Sequence, residues 1–360
     1  MAIADACQVP AGGALAVDRD LFSGAVTGRL KQHPLIEITE AEVTDLPAEG
    51  TVVLATGPLT AGGLFEGIRK TFGMEQLHFF DAAAPVVTLE SIDQSIVFRQ
   101  SRYDKGGADY LNCPMNQSEY EAFWQALVTA ERANVHDFDR ETVFEGCMPI
   151  ETMAGRGSDT IRFGPLKPVG LIDPRTGKMP YACVQLRQDD RMGTLYNIVG
   201  FQTRLKFSEQ RRVFGMIPGL ASAEFVRYGV MHRNTFLDSP RHLDAVYQSR
   251  QRPGFYFAGQ MTGVEGYVES ISSGWVAGVN AARFAKGERT PLILPSETVI
   301  GSLAHYISDP AILDFQPMNA NFRLIAPLKE KIKNKKARNR AYGTRSLALI
   351  AAHAAEWTAA

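Results

Sequence analysis

The sequence predicts an α/β fold in which a mixed α+β insertion interrupts a nucleotide-binding domain. Two stretches support this prediction. Residues 255–258 form a short apolar run, followed by a glycine-rich loop and a long helical stretch that reaches Phe284. Residues 51–58 form a second apolar run that ends in Ala-Thr-Gly-Pro, which is typical of a parallel strand buried on both faces. Because open α/β sheets bind ligands at the carboxyl ends of their strands, Thr56 and Gly57 are predicted to lie at a ligand-binding edge.

The long helical stretch carries a small residue at every fourth position. These residues are Gly266, Ser270, Gly274, Gly278 and Ala282. At 3.6 residues per turn they stack on one face, and each glycine inside a helix costs about 1 kcal/mol relative to alanine. Close packing of this face against a sheet or a ligand would offset that cost. The pattern fits a nucleotide-cofactor site at the helix N-terminus and equally an ordinary, tightly packed βα unit.

Composition places the chain among ordinary globular proteins. It has 360 residues, 45% of them apolar and 21% charged, with a net charge of −1, so any binding of nucleic acid must come from local patches. The four cysteines, Cys7, Cys113, Cys147 and Cys183, form no CxxC pair, which disfavours a metal site and suits a reducing cytoplasm. No apolar run reaches the roughly 18 residues of a membrane span. We therefore expect a cytoplasmic protein without metal or membrane anchor. The sequence leaves the oligomeric state open, with a monomer favoured.

Local patterns divide the chain into segments. Asp18 predicts the start of a helix over 19–30, partial alternation predicts a strand over 35–43, and Ser118 with Glu121 predicts a capping box that opens a helix through Arg132. Residues 287–328 read as loops. We expect a nucleotide-binding domain formed by 1–63 and 240–345, an insertion over 64–239, and a tail over 346–360.

Two basic regions are candidates for contacts with phosphate. Arg204, Lys206, Arg211 and Arg212 lie in the predicted insertion. Near the C-terminus, the basic residues include Lys335, Lys336 and Arg338. Such a composition suits an RNA backbone, and it also suits a solvated helix face.

Six blocks of the sequence resemble a known family. They are residues 11–19, 101–115, 144–151, 227–236, 258–270 and 315–322, with Phe-Glu-Gly-Cys-Met-Pro and Ala-Gly-Gln-Met-Thr-Gly-Val-Glu-Gly-Tyr among them. Together they resemble the folate- and FAD-dependent tRNA (uracil-5-)-methyltransferases, the TrmFO family, from about residue 10 to about residue 350.

The resemblance implies a specific chemistry. Methylenetetrahydrofolate donates a one-carbon unit, reduced FAD passes it to carbon 5 of a uridine in the T-loop of tRNA, and NADPH or NADH re-reduces the flavin. A cysteine thiolate adds to carbon 6 of the uracil, and a base removes the proton from carbon 5. The same chemistry on ribosomal RNA, or an RNA-binding protein without catalysis, is an alternative.

The resemblance also implies functional residues. Cys147 matches the active cysteine, as nucleophile or base. The residues expected to contact the flavin or folate are Thr56, Gly57, Gly259, Gln260, Val264, Glu265, Gly266 and Tyr267. Tyr267 either stacks on a ring or anchors the core. The candidates for folate, NADPH phosphate or RNA are Arg102, Tyr103, Lys105, His232, Arg233 and Asn234, together with Lys335, Lys336 and Arg338.

The sequence departs from the family in one respect. It contains neither the Gly-x-Gly-x-x-Gly loop nor the early cysteine that the family carries near its N-terminus. A first βαβ unit of roughly 30 residues is therefore absent from this sequence. We accordingly expect an incomplete Rossmann-like FAD-binding domain, weak or absent binding of FAD, and exposed apolar sheet and helix faces.

Overall fold

A computed structural model describes residues 1–74, 76–105, 107–133 and 148–359. In chain order, the helices and strands of these residues are α1 (Ala2–Ala6), β1 (Gln8–Val9), β2 (Ala16–Val17), α2 (Arg19–Lys31), β3 (Val52–Leu54), α3 (Gly62–Phe72), β4 (Gln76–Ala82), β5 (Val86–Thr88), β6 (Phe98–Arg99), β7 (Tyr110–Met115), α4 (Gln117–Thr129), α5 (Ile150–Ala154), α6 (Thr160–Phe163), β8 (Ala182–Gln188), β9 (Leu195–Ile198), α7 (Phe207–Phe214), β10 (Phe225–Arg227), β11 (Met231–Leu237), α8 (Ser239–His242), β12 (Phe255–Phe257), α9 (Tyr267–Ala285), α10 (Val299–Ser308) and α11 (Lys335–Ala359).

The chain divides into two compact units. The first unit comprises residues 1–40 and 79–233, and the second comprises 41–78 and 234–360. Strands β4 and β11 carry the chain between the units and pair with each other. These bounds differ from the expected ones, because residues 1–40 group with the insertion and residues 64–78 group with the nucleotide-binding segment.

An antiparallel sheet organises the first unit. Its six strands lie in the order β10-β5-β9-β8-β7-β6, and β7 pairs with β8 over six residues, from Tyr110↔Arg187 to Met115↔Ala182. Helix α4 packs its buried side chains, Tyr120, Phe123 and Leu127, into the core that this sheet shares with α5 and α7. The mixed α+β character predicted for the insertion is thus observed.

A parallel strand pair organises the second unit. Strand β3 pairs with β12, with Val52 opposite Phe255 and Leu54 opposite Phe257. Helix α3 buries Leu64, Ile68 and Phe72 against this pair. The parallel pairing of the two predicted strands is confirmed. Val53 is 39% exposed, however, so β3 is not buried on both faces.

Three local predictions are corrected by the structure. Residues 35–43 form no strand, and Leu35 and Ile38 are exposed. The capping box is Asn116 with Glu119, two residues before the expected pair, and α4 ends at Thr129. Helix α10 lies inside the stretch predicted to be loops, and the Thr298 hydroxyl caps it by accepting a hydrogen bond from the amide of Gly301 at 2.9 Å.

Candidate cofactor site

The carboxyl ends of β3 and β12 meet in the second unit. The amide of Ala258 donates to the carbonyl of Leu54 at 2.9 Å, which extends the strand pairing to the start of both following turns. Gly57 and Gly259 then adopt φ values of +80° and +76°, which favour glycine. Both segments therefore turn sharply at the same edge, as expected for a ligand-binding edge of an α/β sheet.

Side-chain hydrogen bonds hold these two turns. Thr60 donates its hydroxyl to the carbonyl of Gly57 at 2.7 Å and lies 2.7 Å from the hydroxyl of Thr56. The Thr56 hydroxyl also lies 3.8 Å from Sδ of Met261, in the second turn. In that turn, the buried Thr262 donates to the carbonyl of Gly259 at 2.8 Å. The predicted residues Thr56, Gly57 and Gly259 are thus brought together.

A short bridge fixes the residues that precede α9. Val264 is fully buried and pairs in parallel with Met318. The amide of Glu265 donates to the carbonyl of Met318 at 2.9 Å, and the amide of Met318 donates to the carbonyl of Gly263 at 2.9 Å. Val264 therefore anchors this loop, and its contact with the cofactor stays a prediction.

The N-terminus of α9 presents polar groups. The side-chain amide of Gln260 lies 3.3 Å from both carboxylate oxygens of Glu265. Gly266, with φ +106°, precedes the helix, and no side chain in the described residues caps its first turn. The carboxylate of Glu269 lies over Gly266, where a Cβ would stand, and accepts from the amide of Ala320 at 3.2 Å. The helix dipole therefore already faces one negative charge.

The side chain of Tyr267 is 93% exposed. The interpretation of Tyr267 as an anchor of the core is therefore wrong. Stacking of its ring on a ligand stays a prediction.

The stripe of small residues on α9 does not pack against the sheet, contrary to one of the two expectations. The buried face of the helix instead consists of Ser273, Val276, Ala277, Asn280 and Ala281. A Cβ added at Gly274 or Gly278 would meet no atom of the described residues within 4 Å. The glycines thus leave an open strip of backbone in the middle of α9, where a flat ligand can approach closely.

The candidate loop at 102–105 belongs to the first unit. Arg102 is half-buried and donates from Nε to Oε1 of Gln185 at 2.7 Å and from Nη1 to the carbonyl of Lys167. Burial lowers the pKa of Arg102. Tyr103 and Asp104 have φ values of +59° and +51°, a strained conformation for residues other than glycine, and Nζ of Lys105 lies 5.6 Å from the Tyr103 ring centroid.

This strained turn borders a cavity of about 350 Å³. Residues 98–101, 104, 107, 108, 172 and 174 line the cavity. Strained backbone beside a cavity is typical of a ligand site, so Tyr103 and Lys105 stay candidates, whereas Arg102 also has a structural role.

The other predicted residues are distributed over both units. His232 is exposed and Arg233 follows it on β11 in the first unit, whereas Asn234 is 4% exposed in the second. Lys335, Lys336 and Arg338 are exposed in the first turns of α11. Cys147 lies outside the described residues.

The three described cysteines are buried. Cys113 is fully buried, and burial raises its pKa well above the usual value for a thiol. Burial likewise raises the pKa of Cys183 to about 12. Cys7 is 6% exposed. Such burial is typical of structural cysteines.

Sequence reasoning missed several residues that build the site. Ser273 accepts the amide of Gly259 at 2.9 Å, and Thr60 and Phe315 hold the turns on either side. Phe315 lies in one of the blocks that carry the family resemblance, which was the available signal. Ser273 gave no signal of its own.

The described residues contain neither a metal-binding cluster nor a membrane-spanning helix. No group of three or more His, Cys, Asp or Glu side chains is placed to hold a metal ion. In the same part of the chain, every helix is too short or too polar to cross a membrane.

Comparisons with known proteins place the chain in a family. The family model described as "Glucose inhibited division protein A" matches residues 1–289. The methylenetetrahydrofolate–tRNA-(uracil-5-)-methyltransferase TrmFO of Acetivibrio thermocellus is 59% identical over 358 residues, which is 99% of this chain and 82% of that protein. The enzyme of the same name from Desulforudis audaxviator is 59% identical over 355 residues, 98% of this chain and 80% of that protein.

A solved structure shares the fold. The form II crystal structure of Aquifex aeolicus GidA superposes with a TM-score of 0.61 at 16% sequence identity. The superposition covers 81% of this chain, and the chain spans about half the length of that GidA, 52%. At this identity the likeness shows the fold alone. The identity to the two methyltransferases over nearly the whole chain shows more: the chain belongs to the TrmFO family.

Proposed function

We propose that this protein methylates carbon 5 of a uridine in the T-loop of tRNA, with methylenetetrahydrofolate as the one-carbon donor, FAD as the cofactor and NADPH or NADH as the reductant. The observation that carries the proposal is the 59% identity to a TrmFO methyltransferase over 99% of the chain. We place this reaction in the cytoplasm. The three free, buried thiols of the described residues support this placement, because thiols stay reduced there.

The edge formed by β3, β12 and α9 fits a flavin. Gly57, Gly259 and Gly266 all have positive φ, and the open backbone at Gly274 and Gly278 leaves room for a planar ring. Thr56, Gly57, Gly259 and Gln260 would hold the cofactor at the strand ends, and Glu265, Gly266 and Tyr267 would meet it at the helix N-terminus. The chemistry supplied by the bound FAD is two-electron reduction and relay of the one-carbon unit.

The remaining steps belong to the side chains of the chain itself. Cys147 is proposed as the thiolate that adds to carbon 6 of the uracil or as the base that takes the proton from carbon 5. Either role requires a uracil outside its stack, at a cost of a few kcal/mol that is smallest for a loop base. Gln260 positions the Glu265 carboxylate beside α9 and so fixes the charge that a bound ligand would meet.

The test is formation of 5-methyluridine in an unmodified tRNA transcript. The full chain is incubated with methylenetetrahydrofolate, NADPH and added FAD, and the nucleosides are analysed by mass spectrometry. We expect 5-methyluridine at one T-loop position, its absence when that uridine is replaced by cytidine, and a loss of at least 100-fold in rate for Cys147→Ala, on the order seen when a nucleophile or base is removed. Methylation of a ribosomal RNA fragment in place of tRNA, or no methylation at all, would contradict the proposal.

Flavin retention is measured separately. Absorbance of the purified protein in the flavin bands gives the fraction that carries FAD, and it tests the expectation of weak binding. Because FAD is added to the assay, weak retention and absent catalysis give different results.

A further inference from the structure

Three aromatic rings form a continuous stack on the first unit. Tyr228 lies between Phe207 and Phe225, with ring centroids 4.7 Å and 5.2 Å apart and interplanar angles of 17° and 9°. Phe207 is the first residue of α7, and Phe225 begins β10. The stack is therefore fixed at its two ends by a helix and a strand, not by a loose loop.

The two ends of this stack differ in exposure. Phe225 packs against the hydrophobic core of the first unit. Phe207, at the other end, is 54% exposed. Leaving a large aromatic side chain half in water forgoes much of the stabilisation that its full burial would contribute. The stack therefore presents a rigid, flat, apolar ring at the surface.

One exposed cation, Arg211, lies beside the aromatic stack. Arg211 lies one turn after Phe207 on α7, donates from Nη2 to the Tyr228 hydroxyl at 2.5 Å, and has its guanidinium 5.9 Å from the Tyr228 ring centroid. No ion pair in the described part of the chain includes Arg211, and Glu209 of the same helix pairs with Arg212 instead. This cation is exposed and available to an anion.

The neighbouring cations are paired, and the acids among them are part of the charge balance. Lys206 bonds Glu131 at 2.5 Å, Arg212 bonds Glu209 at 2.6 Å, and Arg227 bonds Asp189 at 3.2 Å. Glu224 is also exposed next to Phe225. Within the described ranges, this surface thus presents the unpaired guanidinium of Arg211 near the Phe207 ring. The other cations named here are paired with acids.

We propose that Phe207 is a stacking platform for one unpaired base of the RNA substrate, with Arg211 at an adjacent phosphate. The inference rests on the proposed function, because tRNA is the ligand it assumes. Every base has a π face, and stacking on an aromatic side chain combined with a nearby cation is how proteins bind unpaired nucleotides. Tyr228 and Phe225 hold the platform ring in place, so that little side-chain entropy is lost on binding.

Binding is measured with the full chain and two probes, an unmodified tRNA transcript and its T-arm hairpin. We expect Phe207→Ala to weaken binding of both about 10-fold, within the range found when one stacked base loses its aromatic partner. Phe207→Trp retains the flat ring, and its affinity should stay within about 2-fold of wild type. The salt dependence separates the two parts of the site. Arg211→Gln should lower the slope of log K against log salt by about 1, whereas Phe207→Ala should leave the slope unchanged.

The matched control is Phe163→Ala. Phe163 is a 69% exposed phenylalanine on α6 of the same unit, with the Arg162 guanidinium 5.3 Å from its ring centroid. Thermal melting of all variants confirms that they are folded. Equal weakening by Phe163→Ala and Phe207→Ala, or unchanged binding in Phe207→Ala, would overturn the inference.

The outcomes also separate the inference from the proposed function. A wild-type chain that methylates tRNA, with a Phe207→Ala variant that binds normally, refutes the platform alone. Specific loss of RNA binding in Phe207→Ala, from a chain that does not methylate, supports the platform and refutes the methylation. A wild-type chain that binds no RNA refutes both.

Discussion

Gly263 occupies a position that no other residue type fills without strain. Its φ is +81°, and a Cβ there would lie 2.5 Å from the Phe315 ring. Phe315 in turn packs against Phe236 and Tyr306, with centroids 5.9 Å and 5.7 Å away, so it cannot yield freely. We expect Gly263→Ala to lower the free energy of unfolding by about 2–4 kcal/mol, through left-handed strain and overpacking together. Chemical denaturation monitored by circular dichroism measures the loss.

Gly274 provides the matched comparison. It lies inside α9, and a Cβ there meets no atom of the described residues within 4 Å. Gly274→Ala should therefore stabilise the protein by about 1 kcal/mol, because alanine is the better helix former. If the open strip of α9 faces the flavin, the same substitution should weaken FAD binding in a fluorescence titration. A variant that is more stable and binds FAD as wild type does would show that the strip is not a ligand face.

A buried acid on α5, Glu151, connects this helix to residues 203 and 204. Glu151 is fully buried, accepts the hydroxyl of Thr203 at 2.9 Å and accepts the amide of Arg204 at 2.9 Å. Burial raises the pKa of Glu151, although these hydrogen bonds oppose the shift. A carboxyl group with a higher pKa in the folded state stabilises most below its unfolded pKa, and that contribution is lost as the pH rises through the folded pKa.

Comparison with Glu151→Gln isolates this effect. The difference in unfolding free energy between wild type and variant should favour wild type most at acid pH and should shrink as the pH rises. The matched control is Glu121→Gln, on the exposed side of α4, which removes the same charge at the surface. Urea denaturation at several pH values provides the measurement. A difference for Glu151→Gln that is independent of pH would contradict the expectation.

Sequence patterns predicted those elements whose signals are local. The Asp18 carboxylate accepts the amides of Asp20 and Leu21 at 3.0 Å and 2.9 Å, so the predicted start of α2 is confirmed. The capping box of α4 was displaced by two residues because β7 ends at Met115, where its pairing with Ala182 of β8 ends. That pairing joins residues far apart in sequence, and no local pattern contains it.

The false strand at 35–43 has a similar cause. Its alternation of apolar and polar residues was present, but no strand of the described residues pairs with it, and Leu35 is 88% exposed. Alternation predicts which faces a strand would have, yet only a partner strand satisfies its backbone groups. In the candidate site, the turns at Gly57 and Gly259 were predicted from sequence. The buried face of α9, which lies away from the stripe of small residues, was not predicted.

At the scale of the molecule, hydrogen bonds between residues far apart in sequence determine which unit the N-terminal segment joins. The amide of Gly12 donates to Asp109 at 2.8 Å, the Tyr110 hydroxyl donates to the carbonyl of Ala11 at 2.9 Å, and the amide of Arg191 donates to Asp18 at 2.9 Å. These bonds attach the N-terminal segment to the first unit. Sequence reasoning assigned that segment by its position in the chain, which carries no information about such partners.

The net charge of the whole chain is −1, so its affinity for RNA must depend on local patches. The start of α11 is the patch predicted from sequence. We expect replacement of Lys335, Lys336 and Arg338 by alanine to lower the salt slope of tRNA binding by about 2–3, because each cation that neutralises a phosphate contributes about 1 to the slope. Fluorescence anisotropy over a range of salt concentrations measures the slope.

Helix α2 offers a control with the same change of charge. Arg19, Arg29 and Lys31 are exposed there, and their replacement by alanine should leave the slope unchanged. Equal effects of the two triple variants would indicate that the tail acts only through overall charge.

The three buried thiols of the described residues make the folding of the protein measurable by chemical labelling. Thiolates are the reactive form, and both burial and a raised pKa keep Cys113 and Cys183 from forming them at neutral pH. Cys7 is buried as well. A maleimide applied to the native protein should therefore leave Cys7, Cys113 and Cys183 unmodified, whereas denaturation should make all three reactive, as peptide mass spectrometry would show. Labelling of these three thiols would therefore report unfolding without any engineered cysteine.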